Sequence, residues 1–242
     1  HIAATRRVSL ERALARADGV VIATPPASHW SIASAAIVRG LHVMVEKPLD
    51  THEDTWPALL RTADEAKRTV MVAYPWRYDE EMRAAAAGVQ VMPQRFTGGE
   101  MDYGYDTANA TAKTMGVLLD CSHAFDLLRW MLGEPQRVNA RTTPGAAGAV
   151  VTLDFAGLEM WATLFHDRPL RRHWKLWGDN STVTWRNDSL DVNAMYVEEA
   201  KHFLACIRGE AVPLSDGWDG LRTLRVALAA QQSAREGKWV AL

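Results

Sequence analysis

The chain has 242 residues, 48% hydrophobic and 23% charged, a balance that excludes disorder, collagen and coiled coil. Its 27 basic and 29 acidic side chains leave a formal charge of −2, so there is no footprint for gripping a polyphosphate backbone, and nucleic acid is not an expected partner. No apolar run approaches the roughly 18 residues that cross a bilayer, and His1 to Arg7 lack a signal peptide's apolar segment; the expected setting is cytoplasmic, with no membrane partner.

The first ninety residues alternate helix and strand. Ser9 to Ala17 reads as a short helix, and Gly19 to Ala23 as a β-branched strand closed by Thr24, Pro25 and Pro26. A helix capped near Ser28 runs to Arg39 and ends at Gly40, and Leu41 to Val45 is the next strand, stopped by Lys47 and Pro48. Thr51 to Arg68 is helical, with Trp56, Leu59, Leu60 and Ala63 as its apolar stripe. Pro57 is tolerated only in a first turn, which moves the regular start to Asp54 or Thr55. Thr69 to Ala73 is a third strand. Short apolar strands spaced by helices of about a dozen residues build right-handed βαβ units and a parallel sheet, here half of a doubly wound α/β domain. Ligands bind beyond the carboxyl ends of such strands, which singles out Thr24 to His29, Glu46 to Pro48 and Tyr74 to Tyr78.

After Gly88 the pattern becomes α+β. A strand near Gln94 to Glu100 leads into a polar loop, Tyr103 to Lys113, and then an apolar helix from Val117 to Leu132. From Pro135, period-two alternation marks strands at Arg137 to Thr142, Ala149 to Phe155, Leu158 to His166, His173 to Trp177 and Ser181 to Trp185. Gly157 and the Gly178 to Asn180 turn sit where hairpins bend, so the expected sheet is open and antiparallel, with flanking helices. Two helices, Met195 to Arg208 and Gly220 to Gly237, finish the chain. The expected domains are 1–90 and 91–242. Trp161, Phe165, Trp174 and Trp177 offer more large apolar surface than one buried face needs, which predicts a homo-oligomer formed through the second-half sheet. Cys121 and Cys206 are too few for a disulfide framework or a cysteine zinc site, and are expected as reduced thiols.

Three groups of residues could carry chemistry. Glu46, Lys47 and Pro48 lie at a strand tip, where a lysine can hydrogen-bond a substrate hydroxyl and a proline, through a cis bond, can lock the loop; the plainer alternative is a surface charge pair before a turn. Asp120, His123 and Asp126 recur every three residues and share one face of an apolar helix. They suit a histidine acid/base with an orienting carboxylate, a capping or interdomain hydrogen bond, or, least well, a metal site, since one helix face at this spacing rarely closes around an ion. No metal is expected. Arg168, Arg171, Arg172, His173 and Lys175 form a basic run that fits a solvated face, an oligomer rim or an anion site.

Ala23-Thr24-Pro25-Pro26-Ala27-Ser28-His29, then Val45-Glu46-Lys47-Pro48-Leu49, then Tyr74 to Tyr78, then LLDCSHAFDLLRW from Leu118 to Trp130 occur in one order that resembles the Gfo/Idh/MocA oxidoreductases. The tail, from Tyr196 to Leu204, through Asp216-Gly217, to Gly237, is similar as well. The resemblance implies a Rossmann-like domain for NAD or NADP, followed by an α/β domain whose open sheet mediates assembly. It also implies hydride transfer between a nicotinamide and a sugar or polyol carbon. It implies catalytic roles for Lys47, Asp120 and His123, cofactor contacts from Thr24, Pro25, His29, Glu46, Lys47 and Pro48, and substrate contacts from Arg77, Tyr78 and Asp126. Many members space the aspartate and histidine by four; here the spacing is three, as in a subgroup with D-x-S-H.

No G-x-G-x-x-G turn occurs in the 242 residues. In a dinucleotide enzyme that turn cradles the phosphates at a helix N-terminus. The expected protein is therefore an oxidoreductase read from an N-terminally incomplete chain. The alternative is a non-catalytic, sugar-binding or oligomerising relative that has lost cofactor binding.

Overall fold

The computed structural model describes residues 8–92, 95–104, 115–166, 171–187 and 193–242. Ser9 caps α1 (Leu10–Leu14), accepting a hydrogen bond from Arg12 N, and the chain enters β1 (Gly19–Ile22). Helix α2 (His29–Val38), β2 (His42–Val45), α3 (Trp56–Glu65) and β3 (Val70–Val72) follow, and the strands form a parallel sheet ordered β1-β2-β3. Val20 pairs with Val43, and Val43 with Val70. Every residue of β2 and β3 is buried, as expected of strands covered on both faces. Pro57 stands in the first turn of α3, where its missing N–H costs no helix bond. Trp56, Leu59, Leu60 and Ala63 face the core, and Trp56 Nε1 donates to the buried Asp50 carboxylate at 2.8 Å.

A 3₁₀ turn, Pro75–Tyr78, and α4 (Glu80–Val91) lead to β4 (Gly98–Gly104). Two short helical pieces, α5 (Val117–Asp120) and α6 (Ser122–Leu132), precede the strands β5 (Arg137–Thr142), β6 (Gly148–Phe155), β7 (Leu158–Phe165), β8 (Arg171–Gly178) and β9 (Ser181–Arg186). The chain closes with α7 (Asn193–Ile207), α8 (Gly217–Glu236) and β10 (Val240–Ala241). The second sheet has seven strands, ordered β10-β5-β6-β7-β4-β8-β9. It is mixed rather than wholly antiparallel, because β4 inserts between β7 and β8 and runs parallel to β7. The isolated strand pattern of β4 carries no information about its neighbours, so this pairing was not visible in the sequence.

The sheet's inner face carries Met101, Val151, Met160, Ala162, Leu164, Trp174 and Leu176, covered by helices. Trp174 belongs to this buried set, a correction to its expected part in an apolar outer surface; Phe165 is buried as well, but strand alternation places it on the opposite face with Trp161 and Thr163. Trp161 remains 47% exposed, 5.8 Å from the half-buried Trp177 ring. Helix α8 reaches both sheets. Its residues pack on β5, while Gly217 and Gly220 lie so close to Leu60, Val70 and Val72 that a Cβ at either would overlap them. Ser215 Oγ donates to Val72 O at 2.6 Å, tying the start of α8 to β3. Both cysteines are buried and free. Among the described residues no helix is long and apolar enough to cross a membrane.

Candidate active site

The helix expected from Val117 to Leu132 is broken at Cys121, whose ψ of 23° departs from helical geometry. Ala124 N bonds to Cys121 O instead of Asp120 O, and the freed Asp120 carbonyl accepts a 2.9 Å hydrogen bond from Lys47 Nζ. The break therefore anchors the lysine at the tip of β2. It also takes Asp120 off the face it was expected to share with His123 and Asp126, since Asp120 ends α5 while the other two sit on α6. The Asp120 carboxylate lies 3.5 Å from His166 Nε2 at the end of β7, and burial pushes its pKa up to about 6 against the pull of Lys47.

Lys47 and His123 line one cavity of about 170 Å³, together with Trp76, Tyr103, Arg172 and Tyr196 of α7. His123 packs edge-on to Tyr74, ring centroids 5.7 Å apart, and against Tyr103 at 6.2 Å. Burial, with Lys47 and Arg172 nearby, drives its pKa well below that of a free histidine, so the ring is neutral at pH 7. Its Nδ1 is buried without a hydrogen-bond partner among the described residues. Burial also lowers Lys47 and lifts the Cys121 thiol to about 12, leaving Cys121 protonated and inert. A neutral buried imidazole beside a fixed ammonium can exchange a proton with a hydroxyl that the ammonium holds.

At the carboxyl ends of the first sheet, Thr24 and Pro25 are exposed and Glu46 is half-buried. His29 is fully buried and joins two loops, with Nε2 2.7 Å from Thr24 O and Nδ1 3.2 Å from Leu49 O. Its ring thus holds the strand-end loops in place and presents no surface of its own. The Lys47–Pro48 bond is cis and Pro48 is buried. Burial raises the Glu46 carboxyl, against the neighbouring Lys47. Of these residues, Thr24, Pro25 and Glu46 are open at the strand ends, so they could contact the nicotinamide end of a dinucleotide, whereas His29 could not. The phosphate-cradling glycine turn is not among the 242 residues.

Arg77 and Asp126, expected at the substrate, meet each other instead. Arg77 Nε and Nη2 donate to the two Asp126 oxygens at 3.0 and 2.6 Å, Nη1 reaches Asp219 Oδ2 at 2.6 Å, and Leu214 O accepts a further bond. Arg129 extends the network to Asp219, Glu134 and Thr223. It joins the segment after β3 to α6 and α8, and neither Arg77 nor Asp126 lines the cavity. Tyr78 also lies away from the cavity, its ring 5.5 Å from His202 of α7. Among the described residues no three His, Cys, Asp or Glu side chains are grouped as metal ligands would be. Sequence reasoning missed His166, Trp76, Tyr103 and Tyr196. Trp76 lay in a segment already singled out by its strand end, while the other three are brought in by strand pairing and helix docking that no local signal encodes.

Two family models match the chain. The one described as "Oxidoreductase family, NAD-binding Rossmann fold" covers residues 4–74, and "Oxidoreductase family, C-terminal alpha/beta domain" covers residues 172–242. Among curated proteins, the scyllo-inositol 2-dehydrogenase (NAD(+)) of Bacillus subtilis is 23% identical over 93% of this chain and 78% of its own length. D-xylose 1-dehydrogenase (NADP(+)) 2 of Haloferax volcanii is 31% identical over 52% of this chain and 41% of its own. The crystal structure of a myo-inositol dehydrogenase from Corynebacterium glutamicum superposes with a TM-score of 0.84 at 19% identity, covering 98% of this chain and 84% of that one. With the Rossmann and C-terminal models matched in order on the two observed sheets, the chain belongs to the Gfo/Idh/MocA family of NAD-binding oxidoreductases.

Proposed function

We propose that the chain moves a hydride between a nicotinamide cofactor and the carbinol carbon of a sugar or polyol, with the Lys47–His123 cavity as the substrate end. The observation that carries this is the convergence of Lys47, at the strand tip, and a neutral, buried His123 on one cavity. Lys47 holds the substrate oxygen while remaining tethered to Asp120 O, and neutral His123 accepts the hydroxyl proton as the carbon is oxidised, or returns it in reduction. Thr24, Pro25, Glu46 and Pro48 would hold the cofactor's nicotinamide end, and the bound cofactor supplies the hydride acceptor. The inositol and xylose dehydrogenases among the relatives support a polyhydroxylated substrate, and their printed cofactors include both NAD(+) and NADP(+).

The test is hydride transfer followed by nicotinamide absorbance, with the protein expressed from its full reading frame and offered inositols, aldoses and sugar acids. His123→Ala should lower kcat by about 100-fold or more, the usual scale for losing a general acid/base, with cofactor affinity unchanged. Wild-type turnover in that variant removes the proton-transfer role. Absence of any hydride transfer from every sugar and polyol removes the function. Self-association through the outer face of the second sheet, centred on Trp161 and Trp177, belongs to the same reading.

A further inference from the structure

The basic run on β8 is not used by the chemistry above, and strand alternation divides it. Arg172 pairs with Tyr103 of β4, so it shares the inner face with Tyr103, Trp174 and Leu176, whereas His173 and Lys175 fall on the other face opposite Asp102 and Glu100. The inward guanidinium lies over the Trp76 ring, 4.4 Å from its centre, and 5.9 Å from that of Tyr103. Trp76 Nε1 donates to Tyr103 Oη at 3.1 Å, which fixes the two rings as one platform beneath the cation. Arg172 Nε and Nη1 are buried and meet no acceptor among the described residues.

Buried guanidinium N–H groups without acceptors call for a ligand. Among the described residues the cavity wall holds two cationic side chains, Lys47 and Arg172, and no carboxylate: the Asp120 carboxyl faces His166 and Glu46 stands outside the lining. A neutral polyol can offer hydroxyl oxygens to Lys47, His123 and the Arg172 fork, but it leaves the charge of the guanidinium uncompensated. We propose that Arg172 is the anion-recognition residue of this cavity and that the sugar it admits bears a carboxylate or a phosphate ester. A planar guanidinium fork matches either group through paired hydrogen bonds, and the aromatic platform pre-orients it before the ligand arrives. The inference deepens the substrate end of the proposed oxidoreductase and rests on that reading only for the word substrate.

Calorimetry on the 242-residue chain without cofactor, supported by intrinsic tryptophan fluorescence, tests it with D-glucuronate, D-glucose 6-phosphate and D-glucose. At least one of the two anions should bind roughly 10-fold or more tighter than glucose, the scale of one charged hydrogen-bond pair, and whichever does so names the anion. Arg172→Gln should reduce that preference to under about threefold, Arg172→Lys should restore part of it, and Lys175→Gln, on the opposite face, should leave it intact. Equal binding of all three sugars, no binding of either anion, or an undiminished preference in Arg172→Gln overturns the inference. Arg172-dependent anion binding without hydride transfer leaves it standing and removes the oxidoreductase reading instead. Neutral polyol oxidation with kcat/KM unchanged in Arg172→Gln does the reverse.

Discussion

Replacing Asp126 by alanine separates a structural ion network from a substrate contact. Asp126 is fully enclosed on α6 and takes two of Arg77's donors, while Asp219 and Leu214 O take the third nitrogen. Burial pushes the Asp126 carboxyl up against the pull of Arg77, but bidentate geometry at 2.6 and 3.0 Å is that of an ionised pair. The Asp126→Ala variant leaves Arg77 Nε and Nη2 in the interior without acceptors. Breaking one side of a buried pair costs about 3–5 kcal/mol, and the surviving Asp219 contact places this case near the lower end, about 3 kcal/mol. For a chain of this size each kcal/mol moves the melting temperature by about 2–4 °C, so a fall of roughly 6–12 °C is expected in thermal unfolding followed by circular dichroism. Substrate KM, measured well below the new midpoint, should change little. A melting temperature within about 2 °C of wild type, the scale of less than 1 kcal/mol, together with a raised KM, would refute the structural assignment.

Further outcomes follow from other sites. Burial and the nearby Glu46 lift Glu199 on α7 from 4.5 to about 8, so the folded chain holds this proton more tightly than the unfolded one; its stabilisation is full below about pH 4.5 and is lost as pH rises to about 8. Glu199→Gln should flatten that slope and raise the melting temperature at pH 8 relative to pH 5, and an unaltered pH dependence would count against it. Trp161→Glu should abolish self-association at tens of micromolar without shifting the midpoint of a monomer; light scattering showing wild type already monomeric would remove the premise. Lacking the glycine turn, the 242-residue chain by itself should bind NAD or NADP very weakly, and micromolar affinity by calorimetry would contradict this.

The first sheet was legible almost residue by residue. Gly19–Ile22, His42–Val45 and Val70–Val72 are short, apolar and separated by helices with clear stops, so local pattern and tertiary environment agree. Pro57 was placed correctly because its constraint is covalent and does not depend on neighbours. Asp126 was visible as a polar residue in an apolar helix, which calls for a partner, and Arg77 only as part of the strand-end segment Tyr74 to Tyr78. The choice between a substrate and each other could not be made from sequence, because they lie 49 positions apart and meet only when α6 docks on the turn after β3. Asp120 lies off its expected helix face for a different reason. A helical wheel assumes an unbroken turn, and the single non-helical residue Cys121 rotates Asp120 toward β7 and releases the carbonyl that Lys47 needs.

Arg172 shows how a site's charge can depend on register alone. In the run from Arg171 to Trp177, Trp174 and Leu176 are the buried residues, and parity then sends Arg172 inward and His173 and Lys175 outward. Parity could have been read from the sequence; what it meets could not, because Trp76 comes from the turn after β3 and Tyr103 from β4. A slip of one residue between β4 and β8 that turned Arg172 out beside Asp102 would bring His173 to the inner face opposite Met101. It would exchange a permanent cation for a titratable ring and, at the same time, expose Trp174 and Leu176. The apolar residues of β8 thus enforce the same register that puts the guanidinium in place, so the polarity of the cavity is secured by core packing, with no hydrogen bond to Arg172's own side chain among the described residues.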